Sequence, residues 1–366
     1  MGLSASAHGL TIGTLPTGPL GSITDVPGIH VGHTTLSDGD IRSGVTAIVP
    51  TQLDERRHTL PAAVAVGNGH GKLVGSTQVD ELGTLETAIL LTSTLSVHRV
   101  ADALLTHELT RPGREQVVTL NPLVGETNDA YLSDIRTRPV RERHVLDALA
   151  SARPGPVDEG CVGAGTGTCA LGFKGGIGTA SRVAREGARG WTVGALVQSN
   201  FGGTLRIEGV RMPTAELLEG IAPSPAETSG VADAEDPAAA AQATEDQYRQ
   251  GNSCMIVVAT DAPVDARQLG RVARRAIVAM DRVGADFAHG SGDYAITFST
   301  STEAPAMPDP ELNPVFAATM EAVEEALVSS LVHAVTTTGY RGHTAYALPL
   351  DRVLERLSAS GRLPRA

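Results

Sequence analysis

Aromatic side chains are scarce in this chain. Phe, Tyr and Trp make up 3% of its 366 residues, and there is a single Trp. Large rings therefore do not fill the interior. A core must come from Ala, Val, Leu and Ile, with 41 glycines at tight turns. Cysteine is rarer still: Cys161, Cys169 and Cys254 are odd in number and fit no zinc spacing. That excludes a disulfide framework and points to reduced thiols in a reducing compartment. There is no basic tract, and the net charge is −12. Neither nucleic acid nor an anionic membrane surface is an expected partner. The acidic balance suits a cationic small substrate, although solubility alone accounts for it. No run approaches the roughly 18 apolar residues of a membrane helix. Met1 to Leu20 carries no basic n-region and no apolar segment, so the expectation is a cytoplasmic protein. The eleven histidines are scattered without a His-Glu-x-x-His pattern, and His30 and His33 fall on opposite faces of a probable strand. No metal and no cofactor is expected.

What is present is a mixture of strands and helices. Ile23 to Thr34 reads as a turn and a strand, and Gly44 to Val49, Ala62 to Val66, Gln116 to Leu120 and Trp191 to Gln198 read as further strands. Glu86 to Thr92 suits a strand or the start of a helix. Helical spacing runs through Ser96 to Leu109, Arg141 to Ala152, Ala266 to Val283 and Leu312 to Ala334. In the third of these, Leu269, Val272, Ala276 and Met280 form one stripe. The elements do not alternate regularly, which predicts mixed or antiparallel sheets covered by helices rather than a doubly wound sheet.

One boundary stands out. From Ala222 to Gln250 the chain is acidic, Ala-rich and nearly devoid of large apolar side chains. Such a segment buries too little to offset roughly 1–2 kcal/mol of ordering entropy per residue. Three residues later Cys254 to Thr260 reads as a buried strand. Between them lies Gly251-Asn252-Ser253, three turn formers that can simply cap the strand. They also suit chemistry. In an N-to-O acyl shift the Ser253 hydroxyl attacks the Asn252 carbonyl, and hydrolysis of the ester frees the serine amine. Hydroxyl and amine then share one residue, a self-contained nucleophile and base. The reference pKa of an α-amine, about 8, is close to the useful range of a general base.

Other constellations are ambiguous alone. His289-Gly290-Ser291-Gly292-Asp293 leads into a strand, where residues two apart share a face, so Ser291 and Asp293 can meet one site; it is equally a hairpin turn. Gly125 to Tyr131 packs polar groups into a loop. Ser199-Asn200 ends a strand, where an Asn can donate to an oxyanion or cap a turn. Gly165-Thr166-Gly167-Thr168-Cys169-Ala170 matches a loose dinucleotide fingerprint, but glycines interrupt the helix that a phosphate cradle needs. Cys254 adjoins Ser253 but reads as a buried, inert thiol.

Taken together, Gly251-Asn252-Ser253 with Ser291 and Asp293 resembles the DmpA-like family of self-processing aminopeptidases, which includes L-aminopeptidase/D-amidase/D-esterases and β-aminopeptidases. Ile23 to Thr34, Gly67 to Ala101, Glu126 to Asp129 and Gly163 to Arg182 agree as well, so the likeness covers most of the chain. The resemblance implies an α+β fold, a four-layer αββα sandwich similar in architecture to N-terminal-nucleophile hydrolases with different strand connectivity. It implies a single domain, residues 1–366, cut between Asn252 and Ser253 into an α chain 1–252 and a β chain 253–366, with 222–250 as a flexible acidic tail of the α chain. By resemblance Ser253 is the nucleophile, Ser291 and Asp293 support it (Asp standing where the family often has Glu), and Tyr131 and Asn200 complete the catalytic set. Glu126, ahead of Asp129, would hold the substrate's free amine. The implied activity is hydrolysis of short peptides, or of amino-acid amides and esters with a free N-terminus, by a homo-oligomer, a tetramer of αβ units. Acyl transfer of the ornithine acetyltransferase type and a non-catalytic relative are the alternatives.

Overall fold

The computed structural model describes residues 8–54, 57–186, 189–222, 253–304 and 307–362. Residues 223–252, which hold the acidic segment and Asn252, lie outside them. Two sheets form the centre. The first is built from β1 (Ile29–Asp38), β2 (Ile41–Pro50), β5 (Ile89–Ser93) and β6 (Leu123–Thr127), in that order. The second runs β4 (Thr84–Leu85), β3 (Leu60–Gly69), β10 (Gly292–Ser299), β9 (Cys254–Thr260), β8 (Arg189–Ser199), β7 (Ile177–Glu186). Most neighbours are antiparallel. β5 and β6 are parallel, and so are β9 and β10. Parallel neighbours need a long crossover, supplied by the helices α2 (Val97–Leu109) and α4 (Ala266–Arg282).

The cores give the layering. α2 and α3 (Glu142–Ala150) cover the first sheet through Val100, Leu104 and Val145 against Val45, Leu90 and Val124. Ile48, Ile89, Leu91, Leu196, Met255, Val257 and Ile296 meet between the sheets. Cys254, Ile256, Val258 and Val197 face α4 and α5 (Asn313–Val332) on the far side. The expected αββα sandwich and the helix stripe Leu269, Val272, Ala276, Met280 are borne out. The short α1 (Ser76–Leu82) and the C-terminal α6 (Leu350–Ala359) lie outside this plan. Among the described residues no helix is long and apolar enough to cross a membrane.

β9 alternates between two apolar cores, which is why it reads as a continuous apolar run. Hydrophobicity alone therefore cannot set its register. Its polar far end helps to do so: the Thr260 hydroxyl donates to the Thr192 carbonyl at 2.8 Å, and Thr192 N–H donates to Asp261 Oδ1 at 2.7 Å. That register positions Ser253 at the other end.

One predicted strand is absent. Residues 116–120 are irregular: Val118 is 97% exposed, Val117 is half-buried, and Val117 N–H closes a turn on the Arg114 carbonyl at 3.0 Å. The sheet position next to β5 goes to Leu123–Thr127, whose polar end reads as loop in the sequence.

Under α5 lies a buried carboxyl that the sequence did not announce. Glu159 Oε2 accepts from the Ser329 hydroxyl at 2.6 Å and from Thr179 N–H at 2.9 Å. His333 Nδ1 lies 3.0 Å from the Ser329 carbonyl and 3.7 Å from the carboxyl. Burial pushes Glu159 from 4.5 up to about 8. Between those values the folded state keeps a proton that the unfolded state has released, so stability falls as pH rises through the window. Glu159→Gln retains an acceptor and removes the titration. The variant should match the parent at pH 4.5 and exceed it at pH 8, by an amount on the order of 3 kcal/mol. Denaturant unfolding at both pH values measures this, and a gap independent of pH counts against it.

Candidate active site

Ser253 immediately precedes β9 and is 2% exposed. Cys254 is level with Ser199 on β8 and with Asp293 on β10. One residue back, Ser253 is therefore flanked by Asn200 on one side and Gly292 on the other. Its φ is 128°, a region that a residue with a side chain rarely enters. Such backbone costs on the order of 1–3 kcal/mol and persists only where its surroundings enforce it.

Ser291 is fixed by its own backbone: its N–H donates to the Ala288 carbonyl at 2.8 Å and its carbonyl accepts from His70 N–H at 3.1 Å. Its hydroxyl donates to Asp293 Oδ1 at 2.8 Å. The shared face predicted from the two-residue spacing is thus realised, and Asp reaches Ser291 without the longer Glu side chain. Burial pushes the Asp293 carboxyl from 3.8 up to about 6, against the opposing pull of the Ser291 hydroxyl and the Cys254 N–H. The other oxygen, Oδ2, is buried without a hydrogen-bond partner among the described residues. Cys254 faces the core beneath α4 and α5, and burial, with the nearby Asp293 charge, drives its thiol well above its ordinary pKa. It is the inert thiol expected.

Asn200 is oriented from both ends of its amide. Oδ1 accepts from Cys169 N–H at 2.9 Å, and Nδ2 donates to the Asn128 carbonyl at 3.1 Å. An amide nitrogen carries two protons, so among the described residues one N–H of Nδ2 is left without a partner. Asn128 Oδ1 in turn accepts from Ala130 N–H at 3.0 Å, which locks the turn.

Glu126 approaches from the first sheet. Gly125 eases this approach: a methyl group there would stand 2.7 Å from Met255 Sδ, so the Met255 side chain would have to move. The Gly71 and Gly292 backbones also pass too closely for a side chain, and a methyl group on Gly71 would lie 3.3 Å from Glu126 Oε1. Glu126 therefore borders the Ser291–Asp293 segment. Oε1 accepts from Lys72 N–H at 2.9 Å, while Oε2 is buried without a hydrogen-bond partner among the described residues. Asp129 is also buried, but Ser93 donates to its Oδ1 at 2.8 Å. Burial raises it to about 6. Tyr131 forms a separate wall, stacked on His343 with centroids 4.7 Å apart and its hydroxyl 3.5 Å from the Thr344 carbonyl.

Sequence reasoning assigned no role to His70 or Lys72. Their signal was the glycine-rich stretch Gly67-Asn68-Gly69-His70-Gly71-Lys72, whose glycines mark a close backbone approach. It also missed Lys174, fully buried, whose Nζ donates to the Gly165 and Gly175 carbonyls at 3.0 and 2.8 Å. It braces the loop that carries Cys169.

The register sets a strained, buried serine level with Asn200 and with Gly292 of the Ser291–Asp293 segment, and Glu126 borders that segment with one carboxylate oxygen unpartnered among the described residues. Those are the parts of an acyl-transfer site that selects a cation. Comparison with known proteins agrees. The pattern of Peptidase family S58 matches residues 21–345. The β-peptidyl aminopeptidase BapA of Sphingosinicella xenopeptidilytica is 39% identical over 375 residues, covering 95% of this chain and 89% of its own. The structure of a Burkholderia sp. β-aminopeptidase superposes with a TM-score of 0.84 at 38% identity, covering 99% of this chain and 100% of its own. The L-aminopeptidase D-Ala-esterase/amidase of Ochrobactrum anthropi, described as a prototype for the serine aminopeptidases and a new variant among the Ntn hydrolase fold, gives 0.85 at 33% identity, covering 98% of this chain and 99% of its own.

Proposed function

Since the chain belongs to peptidase family S58, we propose that it is a self-processing serine aminopeptidase that cuts itself between Asn252 and Ser253 and then hydrolyses short peptides, amides or esters bearing a free amine. The observation that carries this reading is the strand register that flanks Ser253 with Asn200 and the Ser291–Asp293 segment. The φ of 128° at Ser253 supports it, because strain at the bond to be cut is relieved by cutting. The α chain would be residues 1–252 and the β chain 253–366, associated through the shared second sheet. A homo-oligomer of αβ units in the cytoplasm belongs to the same proposal.

In the mature enzyme Ser253 Oγ attacks the substrate carbonyl. Its proton passes to the free α-amine of Ser253, with Ser291 as relay. The ionised Asp293 holds Ser291 and offsets the ammonium that forms. Asn200 Nδ2 donates to the oxyanion. The Ser253 ammonium returns the proton to the leaving amine, and water hydrolyses the acyl-enzyme. Glu126 Oε2 binds the substrate ammonium, a role for which Asp129, engaged by Ser93, is less free.

Intact-mass measurement and N-terminal sequencing of purified protein test the first half: a second N-terminus at Ser253 is expected. A panel of L-alanyl, D-alanyl and β-alanyl p-nitroanilides with N-acetylated counterparts tests the second. Turnover confined to free-amine compounds is expected, and equal turnover of acetylated ones overturns the aminopeptidase reading. Asn200→Ala should lower kcat by about 10²–10³ with little change in KM, the usual loss for one oxyanion donor. A loss confined to KM places Asn200 in binding instead.

A further inference from the structure

Glu126 already has a cationic neighbour inside the protein. Lys72 donates its backbone N–H to Oε1 at 2.9 Å, and its Nζ stands 3.6 Å from the same oxygen while donating to Thr94 Oγ1 at 2.7 Å. The contact is lopsided. The carboxylate is 2% exposed and the lysine side chain 46%, so the cation keeps most of its hydration while the anion has lost its own. Oε2 is buried and has no hydrogen-bond partner among the described residues. A carboxylate oxygen in that state is a site for a second hydrogen-bond donor.

We propose that Lys72 is a positioning residue of the amine site: it holds Glu126 as a carboxylate and, by occupying Oε1, confines the incoming substrate ammonium to Oε2. This rests on the reading of Glu126 as the amine-binding group. The effect has two opposed parts. Burial is the largest influence on Glu126 and raises its pKa; Lys72, by charge, is foremost among those that lower it. The other titratable groups bearing on Glu126 are Asp129 and, from β10, Tyr294. Asp129 is a carboxyl and Tyr294 a phenol, so neither replaces the lysine charge. Without Lys72 the carboxyl takes up a proton at higher pH and loses its hold on an ammonium. Where it stays ionised, however, removal of Lys72 ends the repulsion between two cations on one carboxylate.

The two parts predict crossing profiles. The test is KM and kcat from about pH 5.5 to 8 for the mature parent, Lys72→Met, Lys72→Arg and Glu126→Gln, on whichever alanyl p-nitroanilide is turned over. Lys72→Met should raise KM about tenfold at the acid end and lower it two- to fivefold at the alkaline end, with kcat within about twofold throughout. A tenfold change corresponds to about one pH unit in the Glu126 titration. Lys72→Arg should restore the parental profile. Lys72 is half exposed, so loss of folding is not the expected consequence. Parallel KM profiles for Lys72→Met and the parent, or equal changes in kcat and KM, overturn the proposal. Glu126→Gln separates the two levels. If it raises KM while Lys72→Met tracks the parent, only the lysine proposal fails. If it leaves KM unchanged, the amine-site reading fails and takes the lysine proposal with it.

Discussion

Ser253→Ala is expected to leave one uncut chain of 366 residues with no measurable aminopeptidase activity. The same hydroxyl is assigned to both reactions, so one substitution removes both. Cleavage needs Oγ to attack the Asn252 carbonyl. Hydrolysis needs Oγ as nucleophile, and it needs the amine that cleavage releases. Loss of a serine nucleophile in comparable enzymes lowers kcat by about 10⁶, which exceeds what most assays can follow. Folding should survive, since alanine fits the space and removes a single hydroxyl from a position whose strand neighbours are held elsewhere. A denaturing gel, intact mass and a p-nitroanilide assay on the same preparation measure all three properties. Two fragments divided at residue 252, or activity above about a thousandth of the parent, place the nucleophile elsewhere. Cys254 is not a ready substitute, because its thiol lies beneath α4 and α5 with its pKa driven up by burial. Ser253→Thr adds a finer check. It keeps the hydroxyl but adds a β-branch at a φ of 128°, where branched residues are least tolerated, so it should mature slowly rather than not at all.

Asp293→Asn carries the second large effect. Burial places the Asp293 carboxyl at about 6, and it must be ionised to hold the Ser291 hydroxyl as acceptor and to offset an ammonium on Ser253. Activity therefore rises with pH as Asp293 loses its proton. The free amine of Ser253 must also be deprotonated, with a reference pKa of about 8. Two required deprotonations give log kcat a slope of one below the amine pKa and of two below about 6. Asp293→Asn should lower kcat by about 10²–10⁴, the usual range for an acid–base partner, and keep a slope of one down to pH 5. The rate must be referred to the cleaved fraction, since maturation is expected to slow as well. A variant with the parental kcat, or one that keeps the steeper limb below pH 6, removes Asp293 from the proton path. Glu126 also titrates with its pKa raised by burial, but its effect belongs in KM, so saturating substrate separates the two.

How much of this was legible in the chain differs from residue to residue. The β9 run and the stripe on α4 were readable because burial imposes a period of its own: two apolar faces for the strand, one for the helix. The pairing of Ser291 with Asp293 was readable because two residues on an extended segment share a face. Glu126 was recognised, but its setting was not. Gly125 to Thr127 read as polar loop, whereas they end a buried strand whose Gly125 lies close against the Met255 side chain. The strand expected at 116–120 failed for the opposite reason: two valines suggest a strand, but Val118 is exposed and the Val117 N–H is taken up by a turn. Lys72 had only the glycines around it as a signal and Lys174 had none, because a lone lysine in a sequence gives no indication of the carboxylate or carbonyls it will meet.

By itself, then, the sequence determined the identity of the chemistry. It supplied a serine at the border between an acidic stretch and a core strand, the Ser291–Asp293 spacing, an asparagine at a strand end, and enough ordered motifs to indicate the family. These are local or one-dimensional properties, fixed by residue type and by the periods of strand and helix. Only the tertiary structure decided that Ser253 adopts a strained φ, that Asn200 and Gly292 flank it, and that Glu126 arrives from the other sheet with one oxygen taken by Lys72 and one left open. Those facts depend on strand register and on close passage of glycine backbones between segments far apart in the chain, Gly71 and Gly292 among them. With apolar cores on both faces of β9, hydrophobicity alone leaves its register open; polar contacts such as those of Thr260 and Asp261 with Thr192 help to set it, and no local pattern in the chain records them.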